Sequence, residues 1–250
     1  METRYKITPQ MRDYDRLGQI WCPYTMFSQK PNFTSQSVNT DNIGQRLSGN
    51  SNYVSPSTLN INSEHSLVVG ASTAFGVGAT NDSNTISSNL NVKTGDCYIS
   101  LCGRAYNSKQ ELLLFLDHID KFRKIKNVIL VTGINNIYLS TISDKNTFPF
   151  FFSNQFYSSM ENIFFSNRKR LLRFVLSLFG FNIDLQSLKK TNLLSEVKKS
   201  WGYPKANLSH KLAKINVELA LKRTLNDLIV WKYLSESMAF NLIFCLQPLA

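Results

Sequence analysis

Four short apolar runs set the rhythm of the chain. They are Ser66–Gly70, Asp96–Leu101, Asn127–Val131 and Asn241–Leu246, and the first and third close on glycine and small residues. This is the profile of buried strands in a parallel sheet. Helical patterns lie between them. Thr85–Leu90 predicts a short helix. Ser108, with Glu111 three residues on, reads as a capping box, followed by an apolar stripe at Leu112, Leu113, Leu116, Ile119 and Phe122. A second periodic stretch covers Asn162–Leu178, and a long amphipathic helix is expected from Asn207 to about Phe240. Strand and helix alternating in this way predict an α/β fold in three layers, with a parallel sheet between helices.

The expected organisation has two parts. Residues 1–60 are polar and read as an irregular N-terminal segment, with a Ser- and Asn-rich loop from residue 47. Residues 61–250 form the α/β domain. A helical insertion at about 140–240, rich in aromatic and basic residues, separates its third and fourth strands.

With 43% hydrophobic residues in 250, the chain can bury one large core. No stretch reaches the roughly 18 consecutive apolar residues of a membrane span, and the charged N-terminus lacks the apolar core of a signal peptide. Cys22, Cys97, Cys102 and Cys245 show no C-x-x-C spacing, so free thiols are expected rather than a zinc site or a disulfide framework. The expectation is a cytoplasmic protein without a membrane partner. Net charge is +11; thirteen Lys and Arg against three acids fall between Ser166 and Arg223, which places nearly the whole surplus in the insertion. Such a segment can attract an anionic substrate, an acidic carrier protein or nucleic acid. A solvated helix face explains it more simply, and a nucleic-acid partner is not expected.

In an open parallel sheet, ligands bind beyond the carboxyl ends of the strands. Three loops occupy those places: Gly70-Ala-Ser-Thr-Ala-Phe-Gly-Val-Gly78, Cys102-Gly-Arg-Ala-Tyr-Asn-Ser-Lys-Gln-Glu111 and Thr132-Gly-Ile-Asn-Asn136. The first has neither the spacing and Lys-Ser/Thr of a P-loop nor the third glycine of a dinucleotide fingerprint. It also lacks the last glycine of a G-x-S-x-G elbow. Its Ser72 nonetheless falls on a strand-to-helix turn, where a hydroxyl is exposed to an adjacent base.

Taken in order, the loops resemble blocks I, II and III of the SGNH (GDSL-like) hydrolases. The first resembles members reading G-x-S-x-x-F-G-x-G, with Ser72 as nucleophile. The second matches the glycine block through Gly103, and Tyr106 to Leu112 match Y-N-S-x-Q-E-L. The third matches G-x-N-D through Gly133 and Asn135, with Asn136 replacing the aspartate. Val38-Asn-Thr-x-x-x-Gly-x-Arg46 and Phe244-x-Leu-Gln-Pro248 extend the likeness from about residue 37 to the last residue. The resemblance implies a flavodoxin-like SGNH hydrolase fold. It also implies that Ser72 attacks an ester carbonyl to form an acyl-enzyme. The Ser72 N–H, the Gly103 N–H and the Asn135 side-chain amide would then stabilise the oxyanion. The expected substrate is an O-acyl group on a carbohydrate or small metabolite, with no cofactor and no metal.

The family's fourth block, Asp-x-x-His, does not occur in these 250 residues. The expectation is therefore a serine esterase or acyltransferase that is incomplete or inactive as this chain. Of the three histidines, His65 precedes the first strand, His118 lies within a helix, and His210 opens the long helix; His210 reaches the site only if the insertion folds over it, and nothing in its spacing supports a role as base. The alternative is a catalytically dead SGNH-like module that binds or regulates within a biosynthetic cluster. The missing histidine and Asn136 favour it. A nucleic-acid binder using the insertion ranks last.

Overall fold

The computed structural model describes residues 2–142, 160 and 210–247. The helical pattern at Asn162–Leu178 and most of the basic insertion lie outside the described residues. No described helix is long and apolar enough to cross a membrane.

The first 29 residues, expected to be irregular, carry helices α1 (Glu2–Ile7) and α2 (Met11–Leu17) and a hairpin of β1 (Gln19–Cys22) with β2 (Met26–Gln29). These elements are too short for periodicity to reveal. They hold through contacts with the rest of the chain, including the burial of Tyr14, Leu17 and Phe27.

The sheet consists of β3 (His65–Gly70), β4 (Tyr98–Cys102), β5 (Ile125–Thr132) and β6 (Asn241–Leu246), all parallel, in the order β4-β3-β5-β6. Between the strands run α3 (Ser72–Phe75), α4 (Ile86–Thr94), α5 (Ser108–Asp117), α6 (Ile134–Ile142) and α7 (His210–Met238). Alternation along the strands divides two cores. Leu67, Val69, Ile99, Leu101, Val128 and Leu130 face α5 and the second half of α7. Val68, Tyr98, Cys102 and Val131 face Tyr14 and Leu17 of α2 and Ala74 and Phe75 of α3. The result is a three-layer α/β/α arrangement.

Helix α7 buries a stripe that repeats every three or four residues. It is polar at first (Asn216, Thr224, Asp227) and ends on Trp231, which is fully buried. The Trp231 ring lies 4.8 Å from that of Phe115 on α5. Truncating such a side chain typically costs ~3–5 kcal/mol.

Two expectations need correction. The cap of α5 is Asn107, not Ser108: its side chain accepts from the Gln110 N–H at 2.9 Å, and the Gln110 side chain accepts from the Asn107 N–H at 3.1 Å. The one-residue shift turns Glu111 into the core. Strand β6 is not buried: among the described residues no strand lies beyond it, and Ile243, Phe244 and Leu246 are exposed.

The opposite edge is closed. The outward N–H groups of β4 donate to side chains: Tyr98 to Asn91 Oδ1, Ser100 to Ser48 Oγ at 3.0 Å, and Cys102 to Gln45 Oε1 at 2.9 Å. The irregular segment around residues 45–48 thus serves as a substitute neighbour for the edge strand.

Candidate active site

The chain leaves β3 for β4 on one side and later returns to β5 on the other. Strands β3 and β5 therefore flank the point where the order reverses, and the crevice beyond them is the natural ligand position. Gly70 ends β3 there. A Cβ on it would fall 2.3 Å from the Val131 carbonyl oxygen and 2.8 Å from Ala74 Cβ, so only glycine lets the loop pass so close to β5. Ser72 is the first residue of α3 and is partly exposed. No hydrogen bond engages its hydroxyl among the described residues. Its N–H lies in the first turn, where the helix itself supplies no acceptor. The neighbouring Thr73 hydroxyl accepts from the Gln247 side chain at 2.6 Å, which brings the end of β6 to the same corner.

Helix α3 is only one turn long and cannot hold itself. Arg46, which is fully buried, grips its far end. Its guanidinium donates to the Phe75 and Gly76 carbonyls at 3.0 and 2.7 Å, to the Tyr14 hydroxyl at 2.8 Å, to the Ser37 carbonyl at 2.7 Å and to Asp82 at 2.7 Å. Gly76 ends the helix at φ 79°, in the left-handed region, where a Cβ would meet Thr85 and the Arg46 guanidinium. The Tyr14 hydroxyl donates onward to the Gly76 and Ala79 carbonyls. Sequence reasoning singled out Arg46 only through a resemblance; its physical task is to fix the turn that carries Ser72.

The second loop is a tight turn from Gly103 to Tyr106, closed by the Tyr106 N–H donating to the Gly103 carbonyl at 3.2 Å. A Cβ on Gly103 would lie 2.2 Å from the Tyr106 ring, so this glycine makes room for a buried tyrosine. The Gly103 N–H donates to the Gly70 carbonyl at 3.0 Å. It extends the strand ladder and is not free for an oxyanion in this arrangement. The Tyr106 hydroxyl donates to the Phe27 carbonyl at 2.6 Å, tying the turn to the N-terminal hairpin.

Asn135 and Asn136 open α6 after Gly133. The Asn135 side chain donates to the Tyr106 carbonyl at 2.7 Å. Asn136 is buried. Its Oδ1 accepts from the Ser108 N–H at 2.9 Å, and its Nδ2 donates to Ser108 Oγ at 2.8 Å and to Thr224 Oγ1 at 2.5 Å. Both hydroxyls spend their own proton elsewhere, Ser108 on Asp227 and Thr224 on the Ala220 carbonyl. They can only accept from residue 136, and an aspartate there could not donate to them. Asp227 is in turn ion-paired to Lys109. The asparagine in place of the resembled aspartate thus has a local cause.

No described histidine reaches Ser72. His65 opens β3, at the far end of the strand, with its ring against the Ser63 carbonyl, and burial lowers its pKa. His118 caps the far end of α5, its pKa also lowered by burial. The side chain of His210 lies outside the described residues. Beneath the second and third loops, Glu111 is buried with neither carboxyl oxygen hydrogen-bonded among the described residues. Burial raises its pKa from 4.5 to about 8, with Asp227 adding to the rise and the Thr132 hydroxyl opposing it. It is therefore largely a neutral acid at pH 7. Nothing in the sequence pattern marks it out, since its place near the helix start reads as an exposed cap. Among the described residues no group of three His, Cys, Asp or Glu side chains gathers to hold a metal ion.

No family model matches the chain, and no curated protein matches it.

Proposed function

We propose that this chain is an SGNH-type serine esterase or acyltransferase acting on O-acyl groups of a carbohydrate or small metabolite. The observation that carries the reading is the position of Ser72. Its unengaged hydroxyl sits on a strand-to-helix turn beyond a central strand, and the Asn135 amide follows the adjacent strand. In the proposed reaction Ser72 Oγ bonds to the acyl carbon and its proton passes to a base. The carbonyl oxygen takes the negative charge, facing the Ser72 N–H and the second N–H of the Asn135 amide. The C–O bond to the alcohol then breaks, and water or an acceptor hydroxyl takes the acyl group from Ser72. Gly103 joins as a third donor only if its bond to Gly70 opens or is shared. Among the described side chains no base reaches Ser72, and the reading keeps the expectation that this chain is incomplete or inactive.

Release of acetate from an O-acetylated oligosaccharide, lost in Ser72→Ala, is the expected result. Equal release by both proteins removes the proposal. The second reading, a binding or regulatory module of the same ancestry, draws support from the Gly103 N–H being used by the Gly70 carbonyl. It expects the oligosaccharide to bind equally to both proteins without turnover.

A further inference from the structure

A hydrogen-bond chain joins the third loop to helix α7. It begins at Asn136, beside Asn135, and runs through Ser108 at the start of α5 to Asp227 on α7; all three of its members are buried. Both of its ends are fixed. At one end the Ser108 N–H can only donate, so Asn136 turns its Oδ1 to that group at 2.9 Å and its Nδ2 to Ser108 Oγ at 2.8 Å. At the other end Asp227 accepts on both oxygens. Its Oδ2 takes the Ser108 hydroxyl proton at 2.7 Å, and its Oδ1 is ion-paired to Lys109. An amide at 227 has one acceptor oxygen and could meet only one of these two donors. Positions 136 and 227 are therefore complementary: an amide at the first requires a carboxylate at the second.

We infer that Asp227 is a positioning residue for the third loop, acting through Ser108 and Asn136 on Asn135. The two asparagines are consecutive, and they hold the second loop at two points. Asn135 donates to the Tyr106 carbonyl at 2.7 Å, and Asn136 exchanges two bonds with Ser108. A change at Ser108 is therefore felt at both points. Thr224 lies three residues before Asp227, on the same face of α7. It takes the other Asn136 N–H at 2.5 Å and sends its own proton to the Ala220 carbonyl. Two side chains thus key α7 to the start of α6, directly behind the residue that faces the proposed oxyanion. The part of Asn135 in that contact rests on the esterase reading above; its placement by Asp227 does not.

Exchanging the two groups in the 250-residue chain tests the inference. In Asp227→Asn a single oxygen meets two donors, and in Asn136→Asp the Ser108 and Thr224 oxygens lose their donor. Each single variant should unfold at a lower urea concentration than the parent. Combined, the substitutions restore a consistent chain of opposite direction. The amide at 227 donates to Ser108 Oγ and turns its oxygen to Lys109, while the Ser108 and Thr224 hydroxyls donate to the carboxylate at 136. The double variant should therefore unfold at a higher urea concentration than either single one, where independent losses would add. A double variant that does not exceed both, or that does not fold, overturns the inference. The second readout is the Asn135 side-chain amide signal in heteronuclear NMR, identified by its loss in Asn135→Ala. It should shift in Asp227→Asn. An unmoved signal in that folded variant would make Asp227 a purely structural residue and equally overturns the inference. If Asp227→Asn does not fold, recovery of a folded protein in the double variant carries the test. Neither readout requires turnover, so a parent without Ser72-dependent hydrolysis would count against the esterase reading and not against the placement of Asn135.

Discussion

The side-chain amide of Asn135 donates to the backbone carbonyl of Tyr106 at 2.7 Å, so the third loop of the site is held in place by the second. That bond uses one of two N–H donors on the amide and leaves the other for a ligand. Asn135→Ala should therefore lower any Ser72-dependent ester hydrolysis by roughly 10²–10³-fold, the usual cost of one oxyanion donor. The lost bond to Tyr106 should lower stability by only about 1 kcal/mol. Steady-state rates and urea midpoints of the same variant separate the two effects.

Asn136→Asp should destabilise the fold. Ser108 Oγ and Thr224 Oγ1 both need a donor at this position, and Asp227 already occupies the same buried cluster. Leaving such groups unsatisfied costs about 1–3 kcal/mol. Urea denaturation at neutral pH reads this directly, and a variant as stable as the parent would refute the assigned donor role.

Glu111 gives a pH signature. Its folded pKa is raised, so the native state holds a proton that the unfolded chain has released. Stability from this group is full below the unfolded value near 4.5 and falls as pH rises towards 8. The slope from one such group is at most about 1.4 kcal/mol per pH unit. Glu111→Gln should remove that slope, so its advantage over the parent grows between pH 5 and 8 and then levels. Parallel pH–stability curves for the two proteins would show that the carboxyl is not held neutral.

Arg46 and Asp82 form an ion pair from which solvent is excluded on both sides. Removing one partner leaves the other as an uncompensated buried charge. Asp82→Asn or Arg46→Met should each cost about 3–5 kcal/mol, measured by urea denaturation. A cost below about 1 kcal/mol, the range of a single ordinary hydrogen bond, would mean the turn beneath Ser72 is held by other contacts.

The sheet was legible in the sequence because each of its strands carries a short, largely apolar run. Asn241–Leu246 has the same bounds in the structure as in the sequence pattern, and Ser66–Gly70 differs by one residue. Composition could not show that the last run has no neighbour on one side among the described residues, since burial depends on which strands lie beside it. The three loops fall beyond strand ends as expected, yet the sequence does not reveal that Gly103 makes room for the Tyr106 ring. Helices α1 and α2 and the first hairpin are invisible to pattern reading because short polar segments carry no periodic signal. Glu111 is displaced by a single residue of capping register: Asn107 and Ser108 are both good caps, and tertiary packing chose between them.

Hydrolysis of p-nitrophenyl acetate by the 250-residue chain, beside its Ser72→Ala variant, tests the proposed nucleophile most directly. An activated ester needs little help with its leaving group, so even without a described base a slow rate is expected, and the substitution should abolish it. Equal rates in two proteins that both remain folded by circular dichroism would contradict the serine-hydrolase reading of this site.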